Sequence, residues 1–419
     1  MVKLLPTESE TAADRTLQTM EELNQLLDVD GILDKVLLEA RQMADADAGT
    51  IFLLDKGKLQ FSYVQNDTLF QEDATNRMIY ADYALPVDEA SIVGYVALSG
   101  EPLVIDDAYE LSPDLPCSFN RSFDQQTGYR TISILTIPLK TYQERLVGII
   151  QIINARDEMG VHTPFSLEHR KTIPLLANKA SAVIDRGLMI REQILRMMQL
   201  AAMRDPAETA GHVQRVGAYV AEIYKRYALN RAFKDSASQA FSGNPEGLFD
   251  EVKRTSGLMR LAAMLHDVGK VGVADAILKK PAKLTDEEFA VMRQHTLKGA
   301  QLFANTESDL DKLCYDIALH HHEKWAGGGY PGRVLDIYLE DVPGEPLRGE
   351  DIPLAARITA LADVYDALLS RRMYKEPWPE EQVLKIITEE SGRHFDPEVV
   401  EAFFEIYDVI KAIQEKFKG

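Results

Sequence analysis

Eight side chains in the second half of the chain have the types and spacing of metal ligands. They are five histidines and three carboxylates, in the order Glu208, His212, His266, Asp267, His295, His321, His322 and Asp363. Imidazole nitrogens and carboxylate oxygens without cysteine argue against a structural zinc site and favour iron or manganese over zinc. Because eight ligands exceed the needs of one ion, the series predicts two or three divalent metal ions.

The chemistry expected of such a cluster is hydrolysis of a phosphodiester. Two metal ions roughly 3.5 to 4 Å apart can hold both the attacking and the leaving oxygen of a phosphoryl transfer. Asp267 has two carboxylate oxygens and can bridge two cations. Burying a carboxylate without a partner costs on the order of several kcal/mol, so a cation is expected beside it. We therefore expect Asp267 to be a catalytic residue as well as a ligand.

Helices are the elements that must position these ligands. Glu208 and His212 are four residues apart and lie on one helix face if residues 208–224 are helical, as their apolar pattern predicts. His266 and Asp267 directly follow the apolar run 261–265. This order places the pair where a core helix meets a cavity.

Further motifs accompany the ligands along residues 204–419. In order they read RDPAETAGH (204–212), HDVGK (266–270), His295, HHE (321–323), GYP (329–331), DVYDAL (363–368), RMYK (372–375) and GRHFDP (392–397). On these motifs, residues 204–419 resemble an HD-GYP domain, the metal-dependent branch of the HD superfamily that hydrolyses cyclic di-GMP. The resemblance implies an all-α domain whose product is linear pGpG, and it leaves open whether hydrolysis continues to GMP.

The resemblance also implies roles for individual residues. The eight residues named first fall on metal-ligand positions of the family, and Glu208 corresponds to members with a third metal site. Lys270 matches a catalytic lysine that contacts the scissile phosphate. The substrate-binding positions are matched by Gly329, Tyr330 and Pro331 of the signature loop and by Arg372 and Lys375, which would grip the phosphates.

Two departures from the family pattern leave alternatives open. Ala326 stands where the family usually has an aspartate ahead of the glycines, and two connections, at residues 231–257 and 333–351, are long. The second connection is either a lid over the site or a solvated insertion. Two rival functions follow: a cyclic di-GMP receptor or scaffold with weak catalysis, or a hydrolase of another cyclic dinucleotide such as 3',3'-cyclic GMP-AMP.

The first half of the chain has the pattern of an α+β domain. Helical periodicity at residues 23–43 precedes short β-rich segments at 50–54, 59–64, 102–105, 131–139 and 146–153, which predict an antiparallel sheet with flanking helices. The segments SIVGYVA (91–97), DDAY (106–109) and TGYRT (127–131) resemble a GAF domain of the kind that senses small ligands, including cyclic nucleotides. The residues expected near its pocket are Ser91, Asp106, Phe123, Asp124 and Thr131. Alternatively, Asp106 and Asp124 are turn residues and the domain serves dimerisation.

These patterns predict four segments: an N-terminal tail (1–16), a GAF sensor domain (17–182), a linker helix (183–203) and the HD-GYP domain (204–419). In the linker, apolar and small residues recur at alternating spacings of four and three, at Val183, Gly187, Ile190, Ile194, Met197 and Ala201. Such a seam predicts a parallel homodimer that would connect the sensor to Glu208. The alternative is core packing against the HD-GYP bundle.

Composition limits the class of partner. The chain has 46 basic and 66 acidic residues, a net charge of -20, which would repel duplex nucleic acid and anionic membrane surfaces. A small dinucleotide remains acceptable because Lys270, Arg372, Lys375 and the metals would make one positive cavity. With only two cysteines, no apolar signal segment and no long apolar run, we expect a cytoplasmic protein without a transmembrane helix.

Overall fold

The computed structural model describes residues 21–24, 26–69, 84–202, 209–237, 245–305, 308–338, 344–370 and 377–417. The chain divides into two compact units, unit 1 (Met1–Met189) and unit 2 (Ile190–Gly419). Unit 1 contains a sheet with helices, whereas the described part of unit 2 is helical. The predicted fold class, an α+β domain followed by an all-α domain, is confirmed.

Unit 1 is built on a six-stranded antiparallel sheet. In chain order its elements are α1 (Val29–Gln42), β1 (Ala48–Asp55), β2 (Lys58–Asn66), β3 (Ala84–Pro86), α2 (Ile92–Ser99), β4 (Leu103–Ile105), α3 (Ser122–Thr127), β5 (Ile134–Lys140), β6 (Leu146–Ile153) and the start of α4 (His169–Ala202). The strand order is β3-β2-β1-β6-β5-β4, and every neighbouring pair is antiparallel. The five predicted strands are present, and the short β3 is an addition.

Apolar side chains on the two faces of the central strands form two apolar layers, one on each side of the sheet. Ile51 and Leu53 of β1 pack with α1 and α4 on one face of the sheet. Phe52, between them, packs with Val93 and Val96 of α2 on the other face. Successive strand side chains point to opposite faces, so a continuously apolar strand is explained by a sheet covered on both sides.

Part of the heptad seam in α4 is buried within unit 1. Val183 belongs to the core layer that includes Val29 and Ile32 of α1. A Cβ atom added to Gly187 would lie 2.8 Å from the Cδ1 atom of Ile32, so α1 packs directly on this glycine. These two seam positions therefore pack within unit 1, whereas the alternative to a dimer contact expected packing against the HD-GYP bundle. Further along α4, the side chain of Met197 is 43% exposed.

Unit 2 is an assembly of helices around residues 266–267. Its helices are α5 (Ala210–Ala237), α6 (Pro245–Ala263), a 3-10 segment (Val268–Gly272), α7 (Asp275–Leu278), α8 (Asp286–Gln301), α9 (Asp309–His320), a second 3-10 turn (Gly349–Asp351), α10 (Leu354–Leu369), α11 (Glu380–Glu389), α12 (Pro397–Glu405) and α13 (Tyr407–Lys416). Helix α5 packs against α6, α10, α12 and α13, and α8 packs against α9 and the first 3-10 segment. These contacts bring the predicted ligand-bearing segments together.

The first of the two long connections differs from its expected form. Residues 231–257, expected to be a polar connection, are largely helical, because α5 continues to Ala237 and α6 begins at Pro245. Within α6, Val252, Ser256 and Met259 lie on one buried face. In the connection 333–351, Val334 and Ile337 pack against an apolar cluster of α8 and α9. The described parts of that connection are thus anchored to the domain.

No helix in the described ranges is long and apolar enough to cross a membrane.

Candidate metal centre

Four of the predicted ligands form one group in unit 2. Asp267 precedes the first 3-10 segment, His295 lies on α8, and His321 and His322 follow the end of α9. Each offers a ligand atom within 4.8 Å of the others. The Oδ1 atom of Asp267 lies 3.2 Å from His295 Nε2 and 3.6 Å from His321 Nε2. This arrangement could hold a metal ion.

A second group of three adjoins the first. His212 in the first turn of α5, His266 after α6 and Asp363 on α10 offer ligand atoms within 4.8 Å of one another. The Nε2 atoms of His212 and His266 lie 3.6 and 3.8 Å from Asp363 Oδ1. The Oδ2 atom of Asp267 lies 3.4 Å from His266 Nε2. Asp267 therefore presents one carboxylate oxygen to each group.

Backbone carbonyls orient three of the histidine rings. The Nδ1 atoms of His266, His295 and His321 lie 2.8, 2.8 and 2.9 Å from the carbonyl oxygens of Ala263, Met292 and Ile317. A carbonyl oxygen can only accept, so Nδ1 carries a proton, and in the neutral ring Nε2 carries the lone pair. In each ring Nε2 is the atom directed at the cluster, as ligation requires.

The cluster is buried, and burial favours the neutral form of His321 and His322. Burial, opposed by Asp267, lowers the pKa of His321, and burial together with His321 and His295 lowers the pKa of His322 well below its usual range. Burial alone would raise the pKa of Asp267, but Lys270 and His266 hold it well below its usual range. The Lys270 Nζ atom lies 2.7 Å from Asp267 Oδ2. A carboxylate and neutral imidazoles thus face one another.

Three ligand atoms of the cluster are suited to bind a cation. Asp267 Oδ1, His295 Nε2 and His321 Nε2 are buried and have no hydrogen-bond partner among the described residues. All three are acceptors in the states described, so they cannot satisfy one another, and buried acceptors without donors cost about 1 to 3 kcal/mol each. A divalent cation between them would satisfy all three. The residues present therefore fit the metal that the sequence predicts.

A close approach of two backbones holds the first group together. A Cβ atom added to Gly269 would lie 1.9 Å from the carbonyl oxygen of His295 and 2.8 Å from the Cα atom of Gly299. Only glycine allows the 3-10 segment to lie this close to α8. Gly269 and Gly299 thereby set the distance between Asp267 and His295.

Asp366 and Arg215 support His212, and sequence reasoning assigned no role to either. Asp366 is 2% exposed, and its Oδ2 atom lies 2.8 Å from His212 Nδ1. Arg215 donates to Asp366 through Nε at 2.6 Å and through Nη2 at 2.8 Å. Burial alone would raise the pKa of Asp366, but Arg215 and His212 lower it. The three-residue spacings 212–215 and 363–366 were the available signal, since they place each pair on one helix face.

The signature loop, residues 329–331, lies against His322 and Glu323. A Cβ atom on Gly329 would lie 2.4 Å from the Cα atom of Glu323, and the Tyr330 N–H donates to the His322 carbonyl oxygen at 3.3 Å. The ring of Tyr330 packs on that of His322 with centroids 4.8 Å apart. Burial raises the pKa of the Tyr330 phenol. Tyr330 is thus placed beside the cluster as a protonated phenol.

Three predicted site residues lie outside the described residues: Glu208, Arg372 and Lys375.

The residues expected near the sensor pocket of unit 1 are all described. Ser91 caps α2 by accepting from the Gly94 N–H, and Asp106 pairs with Arg170 on the surface. Asp124 accepts from the N–H and hydroxyl of Thr131 and from the Tyr109 hydroxyl. The Phe123 ring meets that of Tyr129. Ser91 and Asp124 therefore hold local structure.

Comparison with family models identifies a domain in each half of the chain. Residues 28–184 match the GAF domain model, and residues 250–399 match an HD domain model. The HD match covers His266, Asp267, His295, His321, His322 and Asp363. A metal-dependent family and a His/Asp cluster able to hold metal thus coincide in unit 2.

Several relatives align with about half of this chain. A Vibrio cholerae protein named cyclic di-GMP phosphodiesterase is 40% identical over 230 residues, 54% of this chain and 41% of that protein. The V. cholerae 3'3'-cGAMP-specific phosphodiesterase 2 is 37% identical over 207 residues, 49% of this chain and 33% of its own length. A Thermotoga maritima cyclic di-GMP phosphodiesterase is 33% identical over 226 residues, 54% of this chain and 52% of its own length. The chain thus spans between a third and about half of these relatives.

The sheet of unit 1, the helices of unit 2 and the two family matches agree. Residues 28–184 are thus similar to GAF domains, and residues 250–399 are similar to HD domains, a metal-dependent family.

Proposed function

We propose that this protein hydrolyses cyclic di-GMP at a centre of two or three divalent metal ions in unit 2. The observation that carries the proposal is the position of Asp267, which directs one oxygen to His295 and His321 and the other to His266. Relatives 33 to 40% identical are named cyclic di-GMP phosphodiesterases, which supports this substrate.

The proposed ligands are the predicted eight, of which seven are described: His212, His266, Asp267, His295, His321, His322 and Asp363. Divalent ions bound here would polarise the phosphoryl oxygens and lower the pKa of water. Nitrogen and oxygen ligands without a cysteine favour iron or manganese. Glu208 is proposed as the eighth ligand and as the residue that separates three ions from two.

The residues around the cluster have separate proposed tasks. Asp267 would orient the reacting water, and the ammonium of Lys270, 2.7 Å from Asp267 Oδ2, would stabilise negative charge on the phosphate or protonate the leaving oxygen. Tyr330 would contact the substrate through its ring or its protonated hydroxyl. Gly329 and Pro331 would shape the loop, and Arg372 and Lys375 would grip the phosphates of the dinucleotide.

A second substrate is supported by one comparison. The relative named 3'3'-cGAMP-specific phosphodiesterase 2 is 37% identical over 207 residues. The same cluster would serve either cyclic dinucleotide, because both carry the same phosphodiester linkage. Discrimination would then depend on contacts with the bases.

The proposed organisation extends to the whole chain. Residues 17–182 would sense a small molecule or cyclic nucleotide, and residues 183–203 would connect the sensor to residues 204–419. A homodimer would use the part of α4 beyond Gly187, since that glycine is covered by α1. We propose a cytoplasmic location on the grounds of composition.

The test is turnover of two substrates by one preparation. Protein purified without oxygen and loaded with Fe²⁺ or Mn²⁺ is incubated with cyclic di-GMP and, in parallel, with 3',3'-cyclic GMP-AMP, and products are separated by chromatography. We expect linear pGpG, then GMP if the product re-enters. Binding without product would contradict hydrolysis and favour the receptor alternative, and a higher kcat/KM for 3',3'-cyclic GMP-AMP would favour the second substrate.

A further inference from the structure

A row of aromatic rings leads from the metal centre to the surface of unit 2. The Tyr330 ring packs on His322 with an interplanar angle of 32°. Tyr330 also meets Phe289 of α8 edge-on, with centroids 6.0 Å apart and planes at 84°. Phe289 is 44% exposed. A partly exposed aromatic ring thus lies two ring contacts from a ligand of the first group.

An arginine accompanies this row. Phe289 and Arg293 are four residues apart on α8 and so share one face of the helix. The guanidinium carbon of Arg293 lies 5.4 Å from the centroid of Phe289 and 5.8 Å from that of Tyr330. These distances are typical of cation–π contacts, which fix the planar group against the rings.

The position of this row suits the base of a nucleotide. In a nucleotide a ribose joins the phosphate to the base, so a phosphate at the cluster would place its purine one sugar away, in the direction of Tyr330 and Phe289. Aromatic faces bind bases by stacking, and the guanidinium of arginine can donate two hydrogen bonds to O6 and N7 of guanine. Adenine presents a donor in place of O6.

We propose that Phe289 and Arg293, with Tyr330, form a subsite for the guanine base of the substrate. Phe289 provides the stacking face, and Arg293 provides the donors that distinguish guanine from adenine. The subsite deepens the proposed function, because it assumes that a nucleotide phosphate binds at the cluster. Its test uses binding, which does not require turnover.

The first experiment compares GMP with ribose 5-phosphate, which has the same phosphate but no base. Binding to the Mn²⁺-loaded full-length protein is measured by titration calorimetry. Wild-type protein is expected to bind GMP about tenfold more tightly than ribose 5-phosphate, since stacking of one base is worth about that much or more. Phe289→Ala should reduce the ratio of the GMP affinity to the ribose 5-phosphate affinity to about two, while Phe289→Tyr should keep most of it.

The matched control is Phe249→Ala. Phe249 is a phenylalanine of α6 that is 50% exposed, close to the exposure of Phe289. This variant should keep the wild-type ratio, and equal melting temperatures of the two alanine variants would show that Phe289→Ala is folded. A wild-type ratio near one, or an unchanged ratio in Phe289→Ala, would overturn the subsite.

The second experiment addresses Arg293. Arg293→Lys keeps the charge and loses the planar pair of donors, so it should reduce the preference for GMP over AMP about tenfold and change ribose 5-phosphate binding by less than about twofold. An unchanged preference would remove Arg293 from the subsite.

If binding of GMP depends on Phe289 but cyclic di-GMP is not hydrolysed, the proposed function fails and the subsite stands. If cyclic di-GMP is hydrolysed but affinity does not depend on the base, the subsite fails and the proposed function stands.

Discussion

The buried side chain of Asn154 in unit 1 is satisfied by its own fold, whereas acceptors at the centre of unit 2 are not. Asn154, fully buried, accepts from the Ile132 N–H and donates to the Arg130 carbonyl and the Tyr129 hydroxyl. In unit 2, three atoms of the cluster have no hydrogen-bond partner among the described residues. The difference separates polar groups that stabilise a fold from polar groups directed at a ligand.

The comparison also explains why similar residue types have different roles. Asp124 and Asp267 are both buried aspartates. Asp124 accepts three hydrogen bonds from Thr131 and Tyr109, so its charge is compensated locally. Asp267 has one cation, Lys270, on Oδ2, while Oδ1 faces two histidine lone pairs. A bound cation would stabilise unit 2 by mass action.

The largest expected effect is that of Asp267→Asn. Loss of the carboxylate charge, which serves both groups, should lower kcat for cyclic di-GMP by about a thousandfold or more and reduce the metal content of the purified protein. Elemental analysis and single-turnover kinetics measure the two effects. Asp55→Asn, at an exposed aspartate of unit 1, is the control and should match wild type. Normal turnover by Asp267→Asn would refute its assignment.

Asp124→Ala should lower the stability of unit 1 and leave the metal content unchanged. Removing the acceptor leaves the Thr131 amide and hydroxyl without their buried partner and should lower the free energy of unfolding of unit 1 by about 3 kcal/mol. Denaturant titration measures this loss, and elemental analysis should find wild-type metal content. Asp106→Ala removes only a surface ion pair with Arg170 and should have little effect. Loss of metal in Asp124→Ala would break the distinction between the units.

Asp366 should make metal-free unit 2 sensitive to acid. Because the pKa of Asp366 is lowered in the fold, the unfolded chain takes up a proton first, near the ordinary aspartate pKa of about 3.9. Its stabilising contribution is therefore present above that pH and is lost as the pH falls toward the folded pKa. Between about pH 5 and 3, wild type should lose more unfolding free energy than Asp366→Asn. Parallel curves for the two proteins would exclude this contribution.

The two cysteines should report separately on the two units. Cys117 of unit 1 and Cys314 on α9 of unit 2 are buried; burial raises both pKa values, that of Cys314 to about 12. In metal-loaded protein at pH 8, neither thiol should react readily with a thiol reagent. Chelation should speed labelling of Cys314 about tenfold and leave Cys117 nearly unchanged, since only unit 2 loses a ligand. Cys117→Ala and Cys314→Ala assign the signals, and equal acceleration would contradict the expectation.

Sequence patterns predicted the elements of unit 1 well, because apolar alternation and turn residues act locally. The same reasoning selected seven described residues of the cluster, since histidine and aspartate pairs in apolar surroundings are rare without a task. It assigned no role to Asp366 and Arg215, whose contact joins residues 151 positions apart in the chain. The close approach of Gly269 to α8 depends likewise on packing between distant segments. The helical form of residues 245–257 was hidden by their polar content.

The most direct test of the central claim is a count of bound metal ions per chain, made on oxygen-free protein beside its rate of cyclic di-GMP hydrolysis. We predict two or three iron or manganese ions per chain and turnover that rises with occupancy of the site. A chain that binds no more than one ion at saturating metal, or that is fully loaded and leaves cyclic di-GMP intact, would contradict the account.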